Sequence, residues 1–208
     1  RSEGENDMEN RQFENMLAAA RARLARRAPE EIAEKSGARY ADGLISLKTL
    51  GRDVTIWLPD CAIQPPLPQW HALTLLHYLD LADGAPLTGR TMTFSQHKDG
   101  LARGGGLDRN AELIIRRDFG ILPPEELARR CRALGAEILP SNADFCARFD
   151  FAPRCPVWLK VWFADEDFTA SGRLLLDESA PHYLTIEDAV TVGSLILDAL
   201  TAAQHWAK

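Results

Sequence analysis

Residues 157–163 alternate without a break. Val157, Leu159, Val161 and Phe163 fall on one face, and Trp158, Lys160 and Trp162 on the other. A period of two marks an extended strand, because successive side chains point to opposite faces of a sheet. This commits the C-terminal half to a sheet with an aliphatic face. Residues 145–151 form a second strand before it. Leu174 to Leu176 return as a third, across an acidic turn, so the pairing is antiparallel.

That sheet needs helices to cover it, and the chain supplies them. Thr185 with Asp188 three residues on is a capping-box start. From Ala189 to Leu200 the segment is apolar on most sides, which predicts a central, buried helix. Phe13, Met16, Leu17, Ala20 and Leu24 recur at helical spacing, behind a polar start, residues 1–10, expected to fray. Arg21, Arg23, Arg26 and Arg27 suit a helix C-terminus; docking of a partner is the alternative. Pro29-Glu30-Glu31 opens a short helix that Gly37 ends. Residues 44–50 and 54–58 read as a hairpin around Gly51-Arg52-Asp53. A four-proline loop, residues 59–68, precedes a helix over 70–81 with Leu73, Leu76 and Leu79 along one side. Residues 91–94 read as a strand, 100–106 as a flexible glycine loop, and 110–119 and 124–134 as helices.

The expectation is one α+β domain over residues 29–208, with residues 1–28 as an N-terminal helix and frayed start. Its sheet is mostly antiparallel and packed by four to six helices. A length of 208 residues fits a single core. No stretch approaches the roughly 18 apolar residues that span a bilayer, and no secretory signal stands at the start. A cytoplasmic protein without membrane contact is therefore expected. The chain opens on Arg1, which leaves the native start open, with Met8 one candidate.

The net charge of −6 has an address. Asp165, Glu166, Asp167, Asp177, Glu178, Glu187 and Asp188 face a single base, Arg173, in residues 162–188. Against totals of 30 acids and 24 bases, the rest of the chain is neutral. Such a segment disfavours nucleic acid nearby and suits a cation or a basic protein surface. Cys61, Cys131, Cys146 and Cys155 form no C-x-x-C pair, so a zinc or iron–sulfur site is not expected. Buried free thiols are the simpler reading.

Several groups could carry chemistry. Trp158, Lys160 and Trp162 offer a platform for a planar cofactor; the competing reading is a covered sheet with a snorkelling lysine. Asp165, Glu166 and Asp167 could hold a hard cation, although Ala170 and Leu176 break the calcium-loop spacing. A solvated turn is the plainer assignment for the three acids. His182 near Ser179 and Asp177 invites a triad, but no G-x-S-x-G elbow exists. His182 beside the acids, as a cofactor or metal ligand or a switch, is preferred over the triad. Gly104-Gly105-Gly106 lacks the lysine and hydroxyl of a phosphate loop, and the G-x-G-x-x-G register ends on Arg109. His71 and His77 lie about 240° apart on their helix and cannot easily share a metal.

Gly37-Ala38-Arg39-Tyr40 ahead of Leu50-Gly51-Arg52, the Leu76-His77-Tyr78-Leu79 helix and Leu87-Thr88-Gly89 form a pattern with later segments. These are Trp162 to Phe168, Leu175-Leu176-Asp177, Tyr183-Leu184 and Glu187-Asp188. Together they resemble the uncharacterised domain family of unknown function numbered 3786, over about residues 29–200 and best over 156–188. The resemblance implies relatives in anaerobic bacteria and archaea, some joined to an iron–sulfur domain, for which this chain lacks the cysteines. The family has no assigned activity, so no catalytic residue carries over.

The leading expectation is a non-enzymatic binding or accessory protein of anaerobic metabolism. Its ligand would be a divalent metal ion or a planar cofactor of tetrapyrrole or corrinoid type, although the sequence requires no cofactor. Two alternatives stand beside it: a small metal-dependent enzyme using Asp165, Asp167 and His182, and a protein-interaction domain whose acidic face meets a basic partner. The sequence accommodates a homodimer and does not demand one.

Overall fold

The structure is a computed structural model, and it describes residues 3–202. It contains six α-helices and two antiparallel sheets, the α+β domain expected. No described helix is long and apolar enough to cross a membrane.

Helix α1 (Glu3–Leu24) buries Phe13, Ala20 and Leu24. The helix takes in the polar start from Glu3; residues 1 and 2 lie outside the described residues. Once the buried end nucleates the helix, each added residue gains a hydrogen bond. After α2 (Pro29–Ser36), Gly37 sits at φ 74° in the left-handed region that ends helices. The chain then builds sheet one in simple order: β1 (Arg39–Ala41), β2 (Leu44–Thr49), β3 (Arg52–Trp57) and β4 (Ala62–Gln64). The proline loop thus contains a short edge strand that its composition hides.

Helix α3 (Gln69–Leu81) follows. Arg27 donates to the carbonyls of Leu79 and Asp80, and Arg23 Nε meets Asp80 Oδ2 at 2.6 Å. Arg23 of α1 and Arg27 just beyond it therefore serve the negative end of a neighbouring helix.

The second sheet has the order β5–β9–β8–β7–β6. Its strands are β5 (Thr91–Met92), β6 (Glu137–Ile138), β7 (Phe145–Ala152), β8 (Cys155–Trp162) and β9 (Ser171–Asp177). Val157, Leu159 and Val161 are fully buried, as their alternation predicts. Residues expected to extend the 91–94 strand turn into a 3-10 helix at Phe94–Gln96. The glycine run is not a flexible loop: it forms the first turn of α4 (Arg103–Ile114). A Cβ on Gly104 would stand 2.1 Å from the Phe94 carbonyl oxygen, so glycine permits a close approach there. Helix α4 runs into a π-helical turn, Ile115–Phe119, and α5 (Pro124–Ala133) follows.

Helix α6 (Ile186–Ala202) packs against α3 and α4 and buries Ala189, Val192, Ile196, Leu197 and Leu200. It is the central helix expected. The two sheets meet where Leu50 N donates to Asp150 O at 2.9 Å. There Gly51 also approaches Gly135, both with positive φ. One hydrophobic cluster runs through both sheets and the helices.

Candidate functional site

Strand β8 presents Trp158, Lys160 and Trp162 on its outward face, each partly exposed. The antiparallel register decides what stands beside them. Trp158 faces Arg148 and Leu175, Lys160 faces Cys146 and Arg173, and Trp162 faces Ser171. The two indoles are four residues apart on one strand, about 13 Å, too far for one ring to stack on both. Lys160 Nζ donates to Asn142 Oδ1 at 2.9 Å and is thereby drawn over the neighbouring loop.

Trp162 borders a cleft of about 250 Å³. Strand β5 pairs only with the end of β9, at Asp177 and Leu176. Beside the remaining length of β9 lie α4 and the π-helical turn, with Ile115 fitted against Gly172: a Cβ there would stand 2.7 Å from the Ile115 side chain. The gap left between helix and strand is the cleft. Arg109 and Glu112 enter it from α4, Trp162 from β8, and Ser171 and Arg173 from β9.

The acidic turn lies outside this arrangement. Asp165, Glu166 and Asp167 are exposed. Asp165 Oδ1 accepts the Asp167 and Phe168 amides at 2.9 and 2.7 Å, and the Asp165 amide donates to Phe168 O. The side chain therefore closes its own turn. His182 lies past the opposite end of β9, and six strand steps separate those ends by about 20 Å. Its Nδ1 meets Asp83 Oδ2 at 2.6 Å. The structure thus does not bring Asp165, Glu166 and Asp167 together with His182. Among the described residues, no group of three or more histidine, cysteine, aspartate or glutamate side chains is placed to hold a metal ion.

Nor do Ser179, His182 and Asp177 form a relay. Ser179 Oγ donates to Asp177 Oδ2 at 2.6 Å, while His182 turns to Asp83. A nucleophilic serine would have to face the histidine. All four cysteines are free and buried. Burial pushes the Cys131 and Cys155 thiols up to about 12, far from the range of reactive thiolates.

A larger cleft, of about 540 Å³, opens between Leu81, the 97–99 loop, Arg103 and the start of α6. Its charges oppose one another, and Arg103 pairs with Glu187 at 3.5 Å. The His97 ring on its wall has both nitrogens against backbone oxygens, of Lys98 and Leu184.

Arg109 and Arg173 are the cleft residues that sequence reasoning missed as site residues. Arg109 stood out only for breaking a glycine motif, and Arg173 only as the lone base of an acidic stretch. The alternation of β9, carried across from β8, was the available signal for Arg173. Nothing local announced Arg109, because α4 reaches the strand through tertiary packing.

Several of the residues that carry the family resemblance, His77, Tyr78, Thr88, Gly89, Asp177, Tyr183 and Asp188, gather elsewhere, at a joint between α3, β9 and α6. Asp177 accepts the amides of Thr88, Gly89 and Ser179 at 3.0, 2.9 and 2.9 Å. Burial pushes its carboxyl up, and the bonds from Ser179, Thr88 and Gly89 outweigh this and hold it below the usual carboxylate range. Tyr78 and Tyr183 stack with centroids 5.6 Å apart. His77 Nδ1 meets Asp188 Oδ1 at 2.8 Å, and Thr185 accepts the Asp188 amide at the expected helix cap. His71 instead meets the Thr49 hydroxyl, so the two histidines share nothing. Much of the shared pattern is therefore architecture.

Among known proteins, no curated protein and no solved structure matches the chain. A family match covers residues 28–199, most of the molecule and the whole of the joint just described. The chain belongs to the family described as Domain of unknown function (DUF3786).

Proposed function

We propose that this chain is a non-enzymatic binding protein that holds a small planar ligand against Trp162. What supports the reading is the cleft itself: an indole, partly exposed, in a gap walled by α4 and β9. An indole offers a broad apolar face on which a flat ring stacks. At about 250 Å³ the space falls below the roughly 300–1,000 Å³ usual for drug-sized ligands. It suits one ring or a fused pair, while a tetrapyrrole or corrinoid would stand mostly outside it.

The test is a ligand panel in matched neutral and acidic forms: adenosine and adenosine monophosphate, riboflavin and its monophosphate, nicotinamide and nicotinate. Thermal shift and indole fluorescence are read for the native chain, Trp162→Ala and Trp158→Ala. At least one ring should bind, and binding should be lost with Trp162→Ala and kept with Trp158→Ala. If no member of the panel binds, or if the Trp162 change is without effect, the proposal falls.

A further inference from the structure

We infer that the ligand carries a carboxylate or phosphate group, received between Arg109 and Arg173; this rests on the binding role just proposed for the Trp162 cleft. Exposed arginines are common and by themselves say little. These two come from different elements, α4 and β9, and meet in one cleft beside an indole. Neither guanidinium makes a hydrogen bond or ion pair to another described residue.

The acids that could have neutralised them are engaged. Asp108 accepts the Phe94 and Ser95 amides at 3.1 and 3.0 Å and so caps the 3-10 helix. Glu112 takes the Arg116 guanidinium at 3.2 Å, one helical turn on. The sheet adds to the imbalance, because Lys160 stands directly opposite Arg173 on β8. Like charges facing each other across two strands are destabilising. Lys160 leans away to Asn142, a neutral partner, which relieves crowding without supplying negative charge. An anion in the cleft would supply it.

The chemistry of the arginines narrows the class. A guanidinium presents its donors as a planar fork that matches a carboxylate or a phosphate. Ser171 and Thr93 line the same cleft and are neutral polar residues. A flat ring on Trp162 with an acidic substituent toward Arg109 and Arg173 would satisfy both halves. Two acids, Asp108 and Glu112, and two bases, Arg109 and Arg173, line the cleft; the acids are turned to the Phe94 and Ser95 amides and to Arg116, which leaves the two guanidinium groups to receive an anion.

The matched panel separates this inference from the binding role. Acidic members should bind at least about tenfold more tightly than their neutral counterparts, with the preference shrinking as salt rises. Arg173→Gln and Arg109→Gln should each remove most of that preference while leaving any binding of the neutral ring in place. Arg90→Gln, a change to an arginine outside the cleft, should leave it intact. Binding of phosphate members alone, or of nicotinate alone, identifies which acid is used. If neutral and acidic forms bind equally, or the arginine variants keep the preference, the inference is wrong and the planar-ligand role survives. If nothing binds, both fall together.

Discussion

His71 shows how far a single side chain can set the behaviour of this molecule. Its Nε2 lies 2.8 Å from the Thr49 hydroxyl, and its ring packs against Phe151 with centroids 5.4 Å apart. Burial, helped by the charge of Arg52, pushes its pKa down to about 4. The folded state therefore keeps it neutral, while an unfolded histidine takes a proton near pH 6.5. Stability from this residue is complete above about pH 6.5 and falls as pH drops toward 4, where it levels off. The loss is at most about 3 kcal/mol. Urea unfolding at pH 7 and at pH 4.5 should show it, and His71→Gln should flatten the difference; an unchanged difference would assign the acid sensitivity elsewhere. At this scale the sequence was partly legible. Helical spacing showed that His71 and His77 could not share a metal. It could not show that one would meet Thr49 and the other Asp188, because those partners come from distant segments.

Among the elements, α4 departs furthest from its sequence. Three glycines in a row are poor helix formers, and the flexible loop expected there follows from local propensity. Gly104 overrides propensity because the Phe94 carbonyl occupies the place of its missing side chain. Gly106 has nothing within 4 Å of a Cβ, so its only effect is to weaken the helix. Opposite outcomes follow for neighbouring substitutions. Gly104→Ala should cost about 1–3 kcal/mol, since backbone cannot give way, whereas Gly106→Ala should stabilise by up to about 1 kcal/mol. Denaturation midpoints of the two variants check this, and a shift of the same sign in both would refute it. Strand β8 and helix α6 were readable for the contrary reason. Their periodicity agrees with what the tertiary structure does to them, so local and global preferences coincide.

The whole molecule is two sheets sharing one core, a division that hairpin signals could not reveal. They identify which neighbouring strands pair, but where one sheet stops and another begins depends on contacts between remote segments. Here the joint is Leu50 N to Asp150 O, beside the Gly51–Gly135 approach. A Cβ on Gly51 would stand 2.8 Å from the Gly135 backbone, and its φ is +79°. Gly51→Ala should therefore lower stability by about 1–3 kcal/mol. Far-UV circular dichroism and tryptophan fluorescence should still report one coincident transition, because Trp57 lies in one sheet and Trp158 and Trp162 in the other. Separated transitions would mean that the sheets fold as independent units. The cleft is illegible from sequence for the same reason as the joint: it exists only because α4 comes to rest beside β9.

That resting place also bears on how the protein survives storage and expression. A strand flank with unpaired amides and carbonyls is a template on which further chains can grow. Over most of β9 the flank away from β8 pairs with no described strand, and helix α4 and its π-helical turn pack close to it. Conditions that loosen α4 ahead of the sheet would uncover a seed for fibrils. The helix is thus a sheath as well as a wall, and a ligand that braces it against β9 would slow aggregation without touching the core.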